Sequence, residues 1–256
     1  MSSPILEVKD LTMRFGGLTA VDALNFQVAR GAIHGLIGPN GAGKTTTFNM
    51  ISGFYKPTAG EVMFKGDKIT GLQMHNVARR GLVRTFQHST LFAELTVLEN
   101  ALVGTHVEFP PSIFAALTGR DTAVRQGAAA RATEALEFFG LSEFSGSLAG
   151  DLPHGHQRAL GMAVALACNP EVVILDEPFT GMNPEETNRM MELMRKLRDS
   201  GVTILLVEHD MHAIMGLCDQ ITCMSFGKFL AEGNPQEIRN HPAVIEAYLG
   251  GARHVA

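Results

Sequence analysis

The chain has 256 residues, of which 45% are hydrophobic and 18% charged, enough apolar material for one large core or two modest ones. A formal net charge of -5 excludes an overall basic field, and with it the wholesale wrapping of nucleic acid. No uncharged apolar run approaches the roughly 20 residues of a membrane span, and the first residues lack a signal peptide's apolar stretch. The three cysteines have no C-x-x-C spacing and favour a reducing compartment. We therefore expect any membrane role to come through a partner.

Short segments of β character open the chain, at residues 6–8, 11–15 and 24–28. Phe15 is followed by the pair Gly16 and Gly17, which predicts a turn. A ring in that position offers a flat apolar face to a purine, although packing into the core is the commoner role of a phenylalanine. Both roles of Phe15 stay open on this evidence.

Residues 38–45 fit the pattern G-x-x-x-x-G-K-[ST], the signature of a phosphate-binding loop. Its glycines let backbone N–H groups face inward, and Lys44 adds a positive charge for the outer phosphates. Thr45 offers a hydroxyl to Mg²⁺, and a helix that begins here points its positive dipole end at the anion. Because residues 32–37 have the pattern of a buried strand and residues 46–52 that of a helix, the segment predicts a nucleoside triphosphate site.

The chain changes character in its middle part. A hairpin near residues 57–67 predicts a small antiparallel unit, and residues 82–87 form an apolar run that ends in Gln87. The amide of Gln87 could reach a metal or a water, although a solvated glutamine is the simpler interpretation. Residues 88–150 have a helical pattern, with helices expected over 96–103 and 122–139. We expect an all-helical insert within an α/β frame.

Two buried strands that end in polar residues follow a helix at residues 155–168. Residues 171–178 contain four consecutive apolar residues and then Asp176 and Glu177, as in a parallel strand with acids at its carboxyl end. Open α/β sheets bind ligands at that edge. Asp176 would hold a metal through water, and Glu177 is the candidate base for an attacking water.

The second of these strands, residues 203–207, is followed by His209. This order predicts that His209 lies at the same sheet edge as Glu177, although a lone histidine there is more often structural. Between the two strands, Asn183 and Pro184 begin a helix with an N-cap and an early proline. The tail from residue 234 contains two short helical pieces and no residues that suggest chemistry.

Taken together, these motifs resemble the ATP-binding subunit of ABC transporters over nearly the whole chain. The family has a glutamine loop (here residues 84–87), a carboxylate strand (residues 175–178) and a switch histidine (residues 207–210), in this order and spacing. The sequences of residues 36–46, 84–87, 97–100 and 247–250 look like those of the branched-chain amino acid importer branch. Members of this branch also transport other small amides and acids.

The resemblance implies an α/β fold: a P-loop NTPase (RecA-like) core with a small antiparallel β subdomain and an inserted all-helical subdomain. It implies one ABC ATPase domain over 1–256. Within it, 1–87 hold the antiparallel β part and the first part of the nucleotide-binding core, 88–150 the helical subdomain, 151–232 the remainder of the core and 233–256 a helical tail.

The resemblance also implies roles for single residues. Gln87 would link Mg²⁺ and the nucleotide state to the membrane subunit, Glu177 would polarise the attacking water, and His209 would stabilise the γ-phosphate. Phe15 takes the adenine-stacking place, which is usually tyrosine. The ATP-binding set is Phe15, Gly38, Asn40, Gly41, Gly43, Lys44, Thr45 and Thr46, and the Mg²⁺ set is Thr45, Gln87 and Asp176.

Two such subunits, identical or different, would close head to tail when they bind Mg-ATP. Each would cover the ATP of the other with its signature segment, and hydrolysis would reopen the dimer. The signature here is Pro153, His154, Gly155 and His156, where the family commonly has Ser-Gly-Gly-Gln after the leucine. Permease subunits would contact the helical subdomain and the glutamine loop at the cytoplasmic face of the inner membrane. A solute-binding protein would act indirectly, and no nucleic acid is expected.

Two alternatives belong to other functional classes. A soluble ABC-type ATPase acting on nucleic acid or ribosomes is disfavoured by the single cassette, the lack of a coiled coil and the acidic charge. A P-loop kinase of a small molecule is compatible with Glu177 and His209 but leaves Gln87 and the helical insert unexplained.

Overall fold

The computed structural model describes residues 3–85, 91–109 and 121–250. Gln87, one of the predicted site residues, lies outside these ranges. The described strands are β1 (Leu6–Phe15), β2 (Leu18–Val28), β3 (Ile33–Ile37), β4 (Ala59–Phe64), β5 (Asp67–Lys68), β6 (Leu82–Arg84), β7 (Val172–Asp176), β8 (Thr203–Val207), β9 (Gln220–Ser225) and β10 (Lys228–Gly233). The described helices are α1 (Lys44–Ile51), α2 (Met74–Ala78), α3 (Val97–Thr105), α4 (Asp121–Phe138), α5 (His154–Ala167), α6 (Pro184–Asp199), α7 (Met211–Leu217), α8 (Pro235–Asn240) and α9 (Pro242–Gly250).

The strands form two sheets. The smaller sheet is antiparallel, in the order β2-β1-β4-β5, and the larger has the order β10-β9-β3-β8-β7-β6. In the larger sheet β9, β3, β8, β7 and β6 run parallel to one another, while β10 pairs antiparallel with β9 at the edge. This arrangement confirms the predicted α/β class with a small antiparallel β unit.

The three central strands of the larger sheet, β3, β7 and β8, are buried at every residue. A strand covered on both faces needs a continuous apolar run rather than an alternating one, which is why the sequence marked these segments clearly. Alternate residues of β3 face two different cores: Ile33 and Ile37 pack with the helices, whereas Leu36 packs with α1 and the antiparallel sheet. The sheet therefore separates the two apolar layers of the protein.

Helices α3, α4 and α5 pack on one another. The approach of α3 to α5 is unusually close, since a Cβ atom at Gly104 would lie 2.2 Å from the carbonyl oxygen of Val164. Thr96 begins α3 with a capping box in which its side chain and that of Glu99 each accept a backbone N–H. The helices predicted over 96–103 and 122–139 are confirmed, while the division of the chain at residues 88 and 150 stays a prediction.

Strands β9 and β10 were not predicted from the sequence. They form a hairpin around Phe226 and Gly227, and β9 pairs in parallel with β3 directly beside the phosphate-binding loop. Strand β1 is also longer than expected, because Asp10 has a φ of 47° and interrupts the pairing without ending the strand. None of the helices in the described ranges has the length and apolar character that a membrane span requires.

His34 is a buried histidine in β3. Its Nε2 lies 2.8 Å from Oγ1 of Thr222, and its ring lies beside that of Phe26. Burial lowers the pKa of His34 from 6.5 to about 4. The imidazole is therefore neutral in the folded protein at neutral pH.

This burial predicts a loss of stability in acid. Since the unfolded chain takes up a proton below pH 6.5 and the folded chain only near pH 4, the free energy of unfolding should fall across that interval. One such group contributes at most about 1.4 kcal/mol per pH unit. Denaturant titrations at several pH values between 7 and 4.5 measure this free energy. It should fall less steeply with decreasing pH in His34→Gln than in wild type, and the exposed His75→Gln is the control. An unchanged slope in His34→Gln would contradict the prediction.

Candidate functional site

The phosphate-binding loop lies between β3 and α1, wedged against two neighbouring strands. A Cβ at Gly38 would lie 2.1 Å from the carbonyl oxygen of Met224 in β9, and one at Gly43 would lie 2.5 Å from that of Ala20 in β2. Gly43 also has a φ of 98°, in the left-handed region that favours glycine. The loop keeps its shape because only glycine fits at these two contacts.

Lys44 is buried at the start of α1. Its Nζ donates to the carbonyl oxygens of Gly38 at 2.7 Å and Pro39 at 3.1 Å. Burial lowers the pKa of Lys44, while the nearby carboxylates of Glu177 and Asp176 oppose that shift. The ammonium group is thus held over the loop, where a phosphate would meet it.

A cavity of about 410 Å³ opens above the loop. It brings together the predicted phosphate-binding residues, the acid after β7 and the histidine after β8. Its lining residues are Leu18, Thr19, Ala20, Asn40, Gly41, Ala42, Gly43, Lys44, Thr45, Thr46, Glu177, His209 and Phe226. Leu18 and Phe226, which the sequence did not indicate, add an exposed apolar rim.

Glu177 and His209 are in direct contact. His209 Nε2 lies 2.8 Å from Glu177 Oε1. The side chain of His209 is 44% exposed and that of Glu177 is 17% exposed. Glu177 has a φ of 50°, and its N–H donates to the carbonyl oxygen of Val207 at the end of β8. The predicted meeting of these two residues at one sheet edge is therefore present in the structure.

Glu208 holds the loops that carry this pair, a function that the sequence did not indicate. Its buried carboxylate accepts N–H groups from Phe179 at 2.7 Å, His209 at 2.8 Å and Asp210 at 3.3 Å. Burial raises the pKa of Glu208, and these three hydrogen bonds counteract the rise. An acid directly after a buried strand was the only signal in the sequence.

Asp176 is a buried carboxylate whose two oxygens differ. Oδ2 accepts a hydrogen bond of 2.7 Å from Arg84 Nη2, whereas Oδ1 is buried with no hydrogen-bond partner among the described residues. An unsatisfied buried carboxylate oxygen is costly, and Mg²⁺ prefers such ligands together with hydroxyl and phosphate oxygens. The donor set of Asp176 and Thr45 therefore fits Mg²⁺, with Gln87 outside the described residues.

Phe15 lies at the outer end of β1 and is 42% exposed. Its ring makes an edge contact with Tyr55, with centroids 5.5 Å apart. Phe15 is not among the residues that line the cavity above the loop. The exposure of Phe15 shows that it is not a core residue, and its stacking on adenine stays a prediction.

The four signature residues lie at the start of α5. Pro153 is the N-cap of this helix, and both Pro153 and His154 are exposed. The ring of His156 packs edge-on against Phe144, with centroids 4.9 Å apart. None of the four lines the cavity above the chain's own phosphate-binding loop.

A family model described as "ABC transporter" matches residues 21–180, from β2 to the loop after β7. The chain belongs to the ABC transporter family. A second model, "Branched-chain amino acid ATP-binding cassette transporter", matches residues 230–254 of the cassette. This membership confirms the predicted family and makes the chain an ABC-type ATPase rather than a small-molecule kinase.

The cassette is similar to known proteins over nearly its full length. It is 46% identical to the high-affinity branched-chain amino acid transport ATP-binding protein LivG of Escherichia coli, covering 98% of this chain and 100% of LivG. A crystal structure of the ADP conformation of an ATP-binding cassette matches with a TM-score of 0.84 and 30% identity, covering 97% of this chain and 100% of that one. A dimeric cassette bound to ADP and phosphate matches with a TM-score of 0.74 and 25% identity, covering 90% and 98%.

Proposed function

We propose that this cassette powers the import of branched-chain amino acids, or related small amides and acids, through an ABC transporter at the cytoplasmic face of the inner membrane. The observation that carries its ATPase activity is the contact between Glu177 and His209 at the cavity above the phosphate-binding loop. The similarity to LivG and the match of residues 230–254 support the solute class.

The residues of the cavity divide the work of hydrolysis. Backbone N–H groups of the loop and Lys44 hold the phosphates, which is the main requirement of phosphoryl transfer. Glu177 orients the attacking water and accepts its proton. His209 is exposed enough to turn from Glu177 towards the γ-phosphate, which leaves Oε1 of Glu177 for the water. Mg²⁺, held by Thr45, Asp176 and Gln87, would neutralise charge on the phosphates.

A second cassette completes the site. Pro153, His154, Gly155 and His156 do not line the cavity of their own chain, so we assign them to the ATP of a partner in a head-to-tail dimer. The dimeric relative bound to ADP and phosphate supports the formation of a dimer. The partner is an identical or a related cassette, and permease subunits contact the helical part and the glutamine loop. A solute-binding protein acts through the permease.

The altered signature lowers the rate of hydrolysis. Pro153 has neither a side-chain hydroxyl nor an N–H, so one contact to the partner's γ-phosphate is missing. The first backbone N–H groups of α5, which begins at His154, would still donate to that phosphate, as at other helix N-termini.

Replacing Glu177 by Gln tests the mechanism. The variant should bind ATP but hydrolyse it at least about a hundredfold more slowly, because the general base is gone. It should therefore accumulate as a dimer in Mg-ATP. Phosphate release and light scattering measure both effects, with the exposed Glu192→Gln on α6 as the matched control. Hydrolysis at the wild-type rate in Glu177→Gln would remove Glu177 from this role.

Uptake of radioactive leucine tests the solute class. Expressed in Escherichia coli cells without LivG, the wild-type cassette should restore uptake and Glu177→Gln should not. If the wild type reaches the membrane fraction together with the permease subunits and leucine uptake stays absent, the cassette does not power a branched-chain amino acid permease, which would contradict the proposed solute class.

Replacing Pro153 by Ser tests the signature. Serine adds a hydroxyl and an N–H, so the hydrolysis rate should rise by about tenfold or more, since a charge-assisted hydrogen bond contributes about 1.5 kcal/mol or more. Pro153→Ala is the matched control, because it adds the N–H alone and should give a smaller increase. The same rate in wild type and Pro153→Ser would show that the proline does not limit hydrolysis.

A further inference from the structure

We propose that Arg84 is the positioning residue of the magnesium site, setting the spacing between Asp176 and the helix that carries Thr45. This inference rests on the Mg²⁺ site in the proposed function. Arg84 is the last residue of β6, and its side chain is only 4% exposed. A buried arginine is rare and requires hydrogen-bonded partners that repay its loss of hydration.

The two terminal nitrogens of Arg84 contact two different elements. Nη2 donates to Oδ2 of Asp176 in β7 at 2.7 Å. Nη1 donates to Oδ1 of Asn49 at 2.6 Å and approaches Oγ of Ser52 at 3.3 Å, on and directly after α1. The guanidinium also lies over the ring of Phe48, 5.9 Å from its centroid. Arg84 therefore joins β7 to α1 through one rigid, planar group.

These contacts bear on both protein groups of the metal site. Asn49 is one helical turn after Thr45, so fixing the side chain of Asn49 fixes the face of α1 that presents the Thr45 hydroxyl. On the other side, the bond to Oδ2 of Asp176 orients the carboxylate and leaves Oδ1 for the water through which Asp176 would hold the metal. Because Mg²⁺ demands near-octahedral geometry at about 2.0–2.1 Å, small errors in this spacing weaken its binding.

Only arginine has the geometry for this task. Its fork places two donors in fixed directions, whereas the single ammonium of lysine must choose between the carboxylate and Asn49. Lysine keeps the positive charge that Asp176 needs in the protein interior. Arg84→Lys thus separates the positioning effect from simple neutralisation of a buried charge.

The placement of β6 extends the argument to the glutamine loop. Arg84 pairs in register with Ile174 of β7, two residues before Asp176. Gln87 follows Arg84 by three residues. The strand that leads into the glutamine loop is therefore tied to the metal carboxylate by a side chain as well as by its backbone.

The test compares metal binding with nucleotide binding. Mn²⁺ would be titrated into full-length protein with the non-hydrolysable analogue adenylyl imidodiphosphate and followed by electron paramagnetic resonance. Binding of ATP would be measured separately in EDTA. Arg84→Lys should weaken Mn²⁺ binding by about tenfold, as do changes to other side chains that hydrogen-bond a metal ligand. It should leave the affinity for ATP in EDTA within about twofold of the wild-type value.

Arg30→Met is the matched control, since Arg30 makes a surface ion pair with Glu171 at 3.0 Å and should leave both affinities unchanged. Unchanged Mn²⁺ affinity in Arg84→Lys would overturn the proposal. An equal loss of ATP affinity in EDTA would overturn it too, because the role would then be structural. Neither result depends on hydrolysis, so a failure here is distinct from a failure of Glu177 as the base.

A double-variant cycle covers the case in which removal of Arg84 leaves Asp176 too costly to bury. Arg84→Met combined with Asp176→Asn keeps the interior neutral. If Arg84 acts through Asp176, the double variant should bind Mn²⁺ within about twofold of Asp176→Asn alone. A further loss of the size seen in Arg84→Lys would overturn the proposal, because a spacing between Asp176 and α1 cannot matter once Asp176 no longer holds the metal.

Discussion

Backbone pairing of β8 between β3 and β7 is the constraint on which the site depends. Val207 pairs with Leu36 on one side and with Asp176 on the other, so the three strands reach the sheet edge at the same level. The residues that follow each strand are therefore neighbours: the phosphate-binding loop after β3, Glu177 after β7 and Glu208 with His209 after β8. Parallel pairing turns three distant stretches of sequence into one ligand-binding edge.

Buried charge is concentrated behind this edge. Lys44, Asp176, Arg84 and Glu208 are each buried or nearly so, and each is held by hydrogen bonds to other elements or to backbone groups. Breaking one partner of a buried pair typically costs about 3–5 kcal/mol, so these groups link activity to stability. These hydrogen bonds hold the loops of the site to the strands and helices behind them.

The sequence predicted those parts of the fold that depend on local pattern. The apolar runs of β7 and β8 and the glycine pattern before α1 identified the central strands, the loop and the sheet edge. Strand β9 was missed because it pairs with β3, which lies far away in the chain. The hairpin from β9 to β10 is local, and its only signal in the sequence was the glycine of the turn at Phe226 and Gly227. The bond between Arg84 and Asp176 spans 92 residues, and no local signal marks it. The sequence showed Glu208 only as an acid that follows a buried strand and did not indicate its hydrogen bonds to the neighbouring loops.

The backbones of α3 and α5 are in direct contact at Gly104 and Val164, so the two helices should move together. Since no side-chain layer separates the two backbones there, little can be absorbed between them when one helix is displaced. Helix α3 lies on the chain shortly after the glutamine loop, and α5 begins at the signature residues. A displacement of α3 would therefore be passed on to α5 rather than taken up by side chains between the two helices.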